Sequence, residues 1–212
     1  KPDLILASGD MLSGDREEGD AIAVALLSRL SDLAPVCFVN GNHEMCVERH
    51  QPERYQKFMD DLKNGGVQVL HNETAWFWID GEKVAVTGYE LPWEYYRRFS
   101  RRHPSVVGME RSIGKRKQDA SQILLTHNPV FFEEYTAWGA DFTFAGHLHG
   151  GFIRLPYFGG VISPQFQLFP KYDHGLYQMD TSSMVVGAGM GNHSGLFRIN
   201  NPTEIVTVRI KR

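Results

Sequence analysis

The sequence contains little cysteine, no long apolar run and no excess of charge of one sign. Its two cysteines, Cys37 and Cys46, are too few for the disulfide framework of a small secreted scaffold, and Cys37 lies in an apolar run that predicts a buried thiol. The apolar runs are much shorter than the roughly 20 residues that cross a bilayer. With 22 Lys and Arg against 25 Asp and Glu, the formal net charge of −3 argues against a nucleic-acid-binding surface. The remaining class is a soluble globular domain, for which 212 residues can form a sizeable core.

Short apolar runs alternate with amphipathic segments along the chain. The pattern predicts helices at residues 17–33 and 53–62, and strands at residues 4–7, 36–39, 67–70, 76–79, 83–88, 122–126 and 141–145. We expect three further strands, at residues 176–179, 184–187 and 205–210, to close the domain. The polar stretch 92–119 is expected to form helices or a surface excursion. Alternating strands and helices are typical of an α/β protein.

Residue types that bind metal ions follow four of these strands. Asp10 follows the first strand, Asn42 and His43 follow the second, His127 follows the strand at 122–126, and His147 and His149 follow the strand at 141–145. In an open α/β sheet, the carboxyl ends of the parallel strands form the crevice where ligands bind. Imidazole, carboxylate and amide groups suit Zn, Mn, Fe or Ni, and a set without thiolates excludes an iron–sulfur cluster or a zinc ribbon. We therefore expect these side chains to converge on a metal site.

Some of these residues also have an ordinary structural explanation. Asp10 could cap the turn after its strand, and Asn42 after Gly41 is a common turn residue. His147 and His149 are harder to explain in this way, because residues two apart in extended backbone share one side of the chain and the flanking glycines permit close approach. For this pair the metal interpretation is favoured over that of core histidines.

Four short motifs, taken in order, resemble a known family. They are Gly-Asp at 9–10, Gly-Asn-His-Glu at 41–44, His127 and Gly-His-x-His at 146–149, and their order resembles the calcineurin-like metallophosphoesterase superfamily. Residues 146–156, 170–172, 175–177 and 189–192 are similar to its bacterial branch, whose members are commonly membrane-associated. The resemblance covers nearly the whole chain. It implies a single domain over residues 1–212 that forms an α/β fold, a two-sheet β-sandwich flanked by helices.

The resemblance also implies a dinuclear centre of divalent ions, for which Mn, Zn, Fe and Ni are the candidates. Asp10 would bridge the two ions, one of which would also be held by Asn42, His127 and His147, and the other by His149. His43 would not bind metal but would stabilise the phosphoryl oxygens or protonate the leaving group. Two such ions lower the pKa of water and clamp phosphoryl oxygens, so the protein needs no nucleophile of its own. The predicted reaction is hydrolysis of a phosphodiester or pyrophosphate bond.

Three departures from the family pattern concern the same centre. Ser13 occupies the position of the acid in Gly-Asp-x-x-Asp, Glu44 replaces the commoner Asp after Asn-His, and no Asp is followed two places later by His. The second ion would then have just Asp10 and His149 as protein ligands, fewer than the three that such sites generally keep. We therefore expect the natural protein to carry an Asp-x-His motif on a further strand that precedes Lys1.

Two other features bear on the substrate. Asn192 and His193, in the glycine-rich stretch 187–195, are candidates for the substrate cleft. Basic clusters at 97–102 and 115–117 could attract a phosphorylated ligand or an anionic lipid surface, and a solvated helix face is the alternative. The expected partner is a phosphorylated small molecule or a lipid-linked substrate, and no nucleic acid. The resemblance also implies a membrane-associated bacterial protein, for which a peripheral membrane contact is one possibility.

Two rival functions fit parts of the sequence. A non-catalytic scaffold of the same fold would bind a partner through the metal cleft, although retention of the complete motif set argues against it. A hydrolase of the metallo-β-lactamase type would need His-x-His-x-Asp-His, which the sequence does not contain. A metal-dependent phosphoesterase is therefore the favoured function.

Overall fold

The computed structural model describes residues 1–14, 17–97, 100, 102–151, 154–155, 159–161, 169–191 and 198–210. Its strands are β1 (Ile5–Ala7), β2 (Val36–Phe38), β3 (Val67–Val69), β4 (Thr74–Ile79), β5 (Glu82–Tyr89), β6 (Ser121–Thr126), β7 (Phe142–Ala145), β8 (Arg154–Leu155), β9 (Gly159–Gly160), β10 (Gly175–Met179) and β11 (Ser182–Val186). Its helices are α1 (Asp20–Ser31), α2 (Asn42–His50), α3 (Pro52–Asn64), α4 (Val106–Ile113) and α5 (Phe132–Trp138), with short 3-10 turns at Trp93–Tyr95 and Pro129–Phe131.

The described strands form two main sheets and one short hairpin. The first sheet has the order β1-β2-β3 and is parallel throughout. The second has the order β10-β11-β7-β6-β5-β4, with parallel pairing in its centre and an antiparallel pair at each edge. The hairpin pairs β8 with β9. Because neighbouring parallel strands run in the same direction, their carboxyl ends lie together at one edge of each sheet.

The two main sheets pack face to face, and helices cover their outer faces. Cys37 of the first sheet and Leu125 of the second belong to one buried cluster between the sheets. Phe38 lies on the opposite face of its strand and packs with Leu62 of α3. On the far side of the second sheet, Tyr135 of α5 belongs to a third buried cluster. This β-sandwich flanked by helices confirms the predicted α/β fold class.

Two segments differ from the sequence expectations. Helix α2 begins at Asn42, where the motif reads as a turn, and the Glu44 side chain caps it by accepting the N–H of Gly41 at 2.8 Å. The strand predicted at 205–210 is wrong, because the structure assigns no strand to residues 201–210 and leaves Ile205 80% exposed. Alternating β-branched residues favour a strand, but a strand also needs a neighbour for its backbone groups, and no strand in the described ranges pairs with this segment.

The described residues of the polar stretch 92–119 form one 3-10 turn and the helix α4, in agreement with the expected helices. Ser105 caps α4 by accepting the N–H of Gly108 at 3.0 Å, and the buried face of the helix carries Met109 and Ile113. In the part of the chain that the structure describes, no helix combines the length and the apolar character required to cross a bilayer.

Candidate metal centre

The loop after β1 carries Asp10 in a strained backbone conformation. Gly9 and Asp10 have φ values of +88° and 57°, in the left-handed region that disfavours most side chains. The loop lies directly against the end of β2, since a Cβ added to Gly41 would stand 2.3 Å from Asp10 Oδ1. The glycine at position 41 is thus required by this close approach, and it brings the first two motifs together.

The buried carboxylate of Glu44 fixes this contact. It accepts four backbone N–H groups at 2.6 to 2.8 Å, from Asp10, Met11, Leu12 and Gly41. Burial and the neighbouring Asp10 carboxylate raise the pKa of Glu44, while the N–H groups oppose the rise. One side chain on α2 therefore holds residues 10–12 of the loop.

Three ligand-type side chains meet at the carboxyl ends of the sheets. One ligand atom each from Asp10, His127 and His147 lie within 4.8 Å of one another. Asp10 Oδ2 is 2.9 Å from His127 Nε2, and His147 Nδ1 is 3.2 Å from the same nitrogen. His127 Nδ1 is 2.5 Å from the carbonyl oxygen of Ser8, which identifies Nδ1–H as the donor and leaves Nε2 for the centre of the group. Among the described residues, no second group of three or more His, Cys, Asp or Glu has this geometry.

The electrostatics of this group suit a cation. Burial opposes ionisation of Asp10, but His127, together with His43 and His147, outweighs burial and lowers the carboxyl pKa. Burial also disfavours a charged His127, yet the Asp10 carboxylate raises the pKa of this imidazole. Burial, together with the charge of His127, holds the pKa of His147 well below its usual value. A neutral His147 has a lone pair to offer, as a metal ligand must.

Within the described ranges, two buried atoms of the predicted ligands have no hydrogen-bond partner. They are Nε2 of His147 and Oδ1 of Asn42. Buried polar atoms are nearly always paired, and a bound cation would give both of these atoms a partner. An imidazole nitrogen, an amide oxygen and a carboxylate are ligands of divalent transition metals. The residues present therefore fit a divalent ion.

The other two predicted residues lie at the edge of this group. The backbone N–H of His43 donates to Asp10 Oδ1 at 2.9 Å, which places His43 in the first turn of α2 beside the carboxylate. His149 is outside the group of three, but its charge contributes to the low pKa of His147. His147 and His149 both have left-handed φ values, of 65° and 50°, so the Gly-His-x-His segment is not the extended backbone that the spacing suggests.

Two further residues contact the predicted ligands and have no signal in the sequence. Asn201 is 4% exposed and donates from Nδ2 to the carbonyl oxygens of His149 at 2.5 Å and Gly151 at 2.7 Å, across about a quarter of the chain. Tyr96 is buried, and its ring centroid lies 5.3 Å from that of His147 and 6.1 Å from that of His127. Tyr96 comes from the stretch interpreted as a surface excursion, so its inward position corrects that interpretation for this residue.

The structure describes some of the remaining predicted residues but not others. Asn192 and His193 lie outside the described residues, as do Arg98, Phe99 and Arg101 of the first basic cluster. Arg102 pairs with Glu94 at 2.9 Å, and Arg116 of the second cluster pairs with Asp141 at 3.1 Å. Ion pairs on the surface reduce the positive charge that these two arginines offer to a phosphorylated ligand or lipid.

The helix-flanked β-sandwich carries nitrogen and oxygen atoms at its strand ends that could hold a divalent metal ion. The model of the calcineurin-like phosphoesterase family matches residues 1–151, and the chain belongs to this family. Its class is that of the metallophosphoesterases, which confirms the prediction of a phosphoric ester hydrolase that uses divalent metal.

Several known proteins are similar along most of the chain. An uncharacterised metallophosphoesterase of Bacillus subtilis, YkuE, is 25% identical over 213 residues, which cover 100% of this chain and 68% of that protein. The phosphodiesterase YaeI of Escherichia coli is 25% identical over 210 residues, or 99% of this chain and 71% of that protein. The crystal structure of a phosphopantetheinyl hydrolase from Mycobacterium tuberculosis has a TM-score of 0.50 at 14% identity, with 86% of this chain and 77% of that chain covered. At this identity, the last comparison supports the fold alone.

Proposed function

We propose that the chain hydrolyses a phosphodiester or pyrophosphate bond in a phosphorylated small molecule, with two divalent ions at the strand ends. The observation that carries the proposal is the meeting of Asp10, His127 and His147 within 4.8 Å, beside orphaned acceptor atoms of Asn42 and His147. Buried polar atoms without partners destabilise a fold, so a cation bound by these atoms would stabilise the cluster. It is therefore best explained as a site that a cation completes.

The donor set assigns roles to the residues around the centre. Asn42, His127 and His147 would hold one ion together with Asp10, which would also contact a second ion near His149. Divalent ions in such a site supply Lewis acidity and lower the pKa of water, which then serves as the nucleophile.

His43 is proposed as the general acid of the reaction. Its backbone N–H is tied to Asp10 Oδ1, so the residue is held beside the carboxylate without being part of the group of three ligand atoms. Departure of an alkoxide requires a proton, and an imidazole is the side chain that most often supplies one near neutral pH. A positioned acid contributes on the order of 10²- to 10⁴-fold to the rate.

We further propose that the substrate is lipid-linked and that the chain contacts a membrane surface. Trp93 is 44% exposed, and Tyr96, three residues further along the chain, is buried. An exposed aromatic side chain therefore lies close in sequence to a residue that contacts the predicted ligands. Exposed tryptophan is typical of interfaces between protein and lipid headgroups.

Metal removal and substrate choice test the proposed function. We expect hydrolysis of bis(p-nitrophenyl) phosphate to stop after chelation and to return on addition of Mn²⁺, Zn²⁺, Fe²⁺ or Ni²⁺, with metal content followed by elemental analysis. Hydrolysis by a sample shown to be free of metal would contradict the proposal. Tight metal binding without hydrolysis of any phosphodiester, pyrophosphate or phosphomonoester would instead support the scaffold alternative.

A further inference from the structure

A second polar cluster lies at the same strand ends as the metal centre. In the first sheet, Phe38 of β2 is in register with Val69 of β3, so Asn40 and His71 follow at equivalent positions two residues further along. Asn40 in turn precedes the proposed ligand Asn42 by two residues. His71 therefore stands beside the segment that leads into the centre.

Glu90 connects His71 to the second sheet. Tyr89 of β5 is in register with Thr126 of β6, so Glu90 and His127 occupy equivalent positions just past the two strands. Neighbouring strands are about 4.8 Å apart, which makes Glu90 an immediate neighbour of a proposed metal ligand.

The side chains of this cluster are fixed by hydrogen bonds. Glu90 Oε1 accepts the backbone N–H of Asn40 at 3.2 Å and lies 3.0 Å from Nδ1 of His71. The backbone N–H of Glu90 donates to Asn72 Oδ1 at 3.0 Å. The side chain of Glu90 is 16% exposed, whereas that of His71 is 35% exposed. The imidazole of His71 is thus held by the more buried carboxylate of Glu90 and remains partly exposed to solvent.

The charges around His71 favour its protonated form. The hydrogen bond that the Glu90 carboxylate accepts raises the pKa of His71, burial and Lys63 oppose the rise, and Glu48 adds to it. The protonated ring donates Nδ1–H to Glu90, and no described residue bonds to its Nε2. When the ring is protonated, its Nε2–H is therefore a cationic donor near the carboxyl ends of the strands.

We propose that His71 binds a second anionic group of the substrate, a phosphate or carboxylate several bonds away from the scissile phosphoryl group. β3 is two strands from β1, so its end lies about 10 Å from the end of the strand that delivers Asp10. This separation is the length of a small substrate that carries two anionic groups. The inference rests on the proposed function and adds the substrate class to it: diesters or pyrophosphates with a further anionic group.

A matched pair of chromogenic diesters tests the inference. The substrates are thymidine 5′-(p-nitrophenyl phosphate) and the same compound with a phosphate on its 3′ oxygen, which differ by one anionic group. With the metal-loaded full chain, we expect a KM about tenfold lower for the 3′-phosphorylated ester, as one charge-assisted hydrogen bond would give. His71→Gln should abolish this difference and leave kcat/KM for the plain ester within about twofold. His71→Arg, which keeps a cation, should retain most of the preference.

His50→Gln is the matched control. His50 ends α2, eight residues beyond Asn42, and is exposed. At a rise of about 1.5 Å per residue it is too far along the helix to contact the same ligand, so the preference should be unchanged. In the wild-type chain the preference should also weaken as pH rises through the raised pKa of His71 and the imidazole loses its charge.

The outcomes separate this inference from the proposed function. A preference that survives His71→Gln, or that the wild-type chain does not show, would overturn the role of His71 even if both esters are hydrolysed. If neither ester is hydrolysed, the proposed function fails on these substrates, and calorimetry with thymidine 3′,5′-bisphosphate and the metal-loaded chain decides the inference. Binding at least tenfold weaker in His71→Gln would support the subsite, and equal affinity would overturn it.

Discussion

The carboxylate of Glu44 accepts the backbone N–H of Asp10 at 2.7 Å, although the two residues are 34 positions apart. Asp10 has a left-handed φ of 57°, a conformation that costs about 1 to 3 kcal/mol outside glycine and persists only where the surroundings enforce it. The further bonds from Met11 and Leu12 to the same carboxylate supply that enforcement. The acidic residue after Asn-His is thus a positioning residue for the proposed metal ligand.

Glu44→Gln should weaken both the fold and the metal site. A glutamine side chain has one acceptor oxygen, and its amide nitrogen would face N–H groups that are themselves donors. We expect the free energy of unfolding to fall by about 1.5 to 3 kcal/mol, the range for hydrogen bonds to a charged group. The affinity for divalent metal should fall as well, since Asp10 would no longer be held in place. Denaturant unfolding and metal titration measure the two effects.

The control for this change lies on the same helix. Glu48 is exposed, so Glu48→Gln should alter the free energy of unfolding by no more than about 0.5 kcal/mol and leave metal affinity unchanged. Equal behaviour of the two variants would show that the contacts of Glu44 have no role in positioning Asp10.

His43→Ala and His147→Ala should separate proton transfer from metal binding. Nε2 of His147 is one of the orphaned buried atoms, so its removal takes away a ligand, and we expect metal content to fall together with activity. His43 is outside the group of ligand atoms, so His43→Ala should keep its metal and lose on the order of 10²- to 10⁴-fold in kcat. Elemental analysis and steady-state kinetics on both variants check this. A similar loss of metal from both would contradict the role proposed for His43.

The alternation of strands and helices made the fold predictable. β2 is a continuous apolar run because both of its faces are buried, Cys37 between the sheets and Phe38 against the helices, and such runs are easily recognised. The segment 205–210 has the alternation of a strand as well, but pairing depends on a neighbour that local sequence does not specify. The start of α2 was hidden because Gly-Asn-His-Glu reads as a turn, while the capping bond of Glu44 makes it the first turn of a helix.

The meeting of Asp10, His127 and His147 follows from their positions directly after strands, which the sequence shows. The contacts of Tyr96 and Asn201 with this centre depend on the path of two long connections, and short-range patterns carry no information about such paths. The left-handed backbone of His149 was equally hidden, because the hydrogen bond from Asn201 that helps to hold it comes from 52 residues away.

The two cysteines should differ in reactivity towards a thiol reagent such as 5,5′-dithiobis(2-nitrobenzoate). Burial raises the pKa of Cys37 to about 12, so its thiolate is scarce at neutral pH, and the side chain is inaccessible. Cys46 is partly exposed on α2. We expect one thiol to react in the native protein and two after denaturation, and Cys46→Ser to remove the native reaction. Reaction of two thiols under native conditions would contradict the buried position of Cys37.

Gly41→Ala tests the close approach that joins the first two motifs. The backbone of Gly41 has φ −98° and ψ −169°, which any residue can adopt, so backbone strain does not enter. The added Cβ would stand 2.3 Å from Asp10 Oδ1 and 2.7 Å from the backbone nitrogen of Asp10, closer than atoms can pack. The carboxylate of Asp10 must therefore move, and overpacking of this kind costs about 1 to 3 kcal/mol.

We expect Gly41→Ala to lose metal affinity and phosphodiesterase activity by a larger factor than its loss of stability would explain, because the displaced group is itself a proposed ligand. Gly14→Ala is the matched control, since no described atom lies within 4 Å of the Cβ it would gain and its φ is not in the left-handed region. This variant should keep the metal affinity and stability of the wild-type chain. Metal titration combined with denaturant unfolding distinguishes the two effects, and full metal affinity in Gly41→Ala would show that Asp10 does not need the position that the structure gives it.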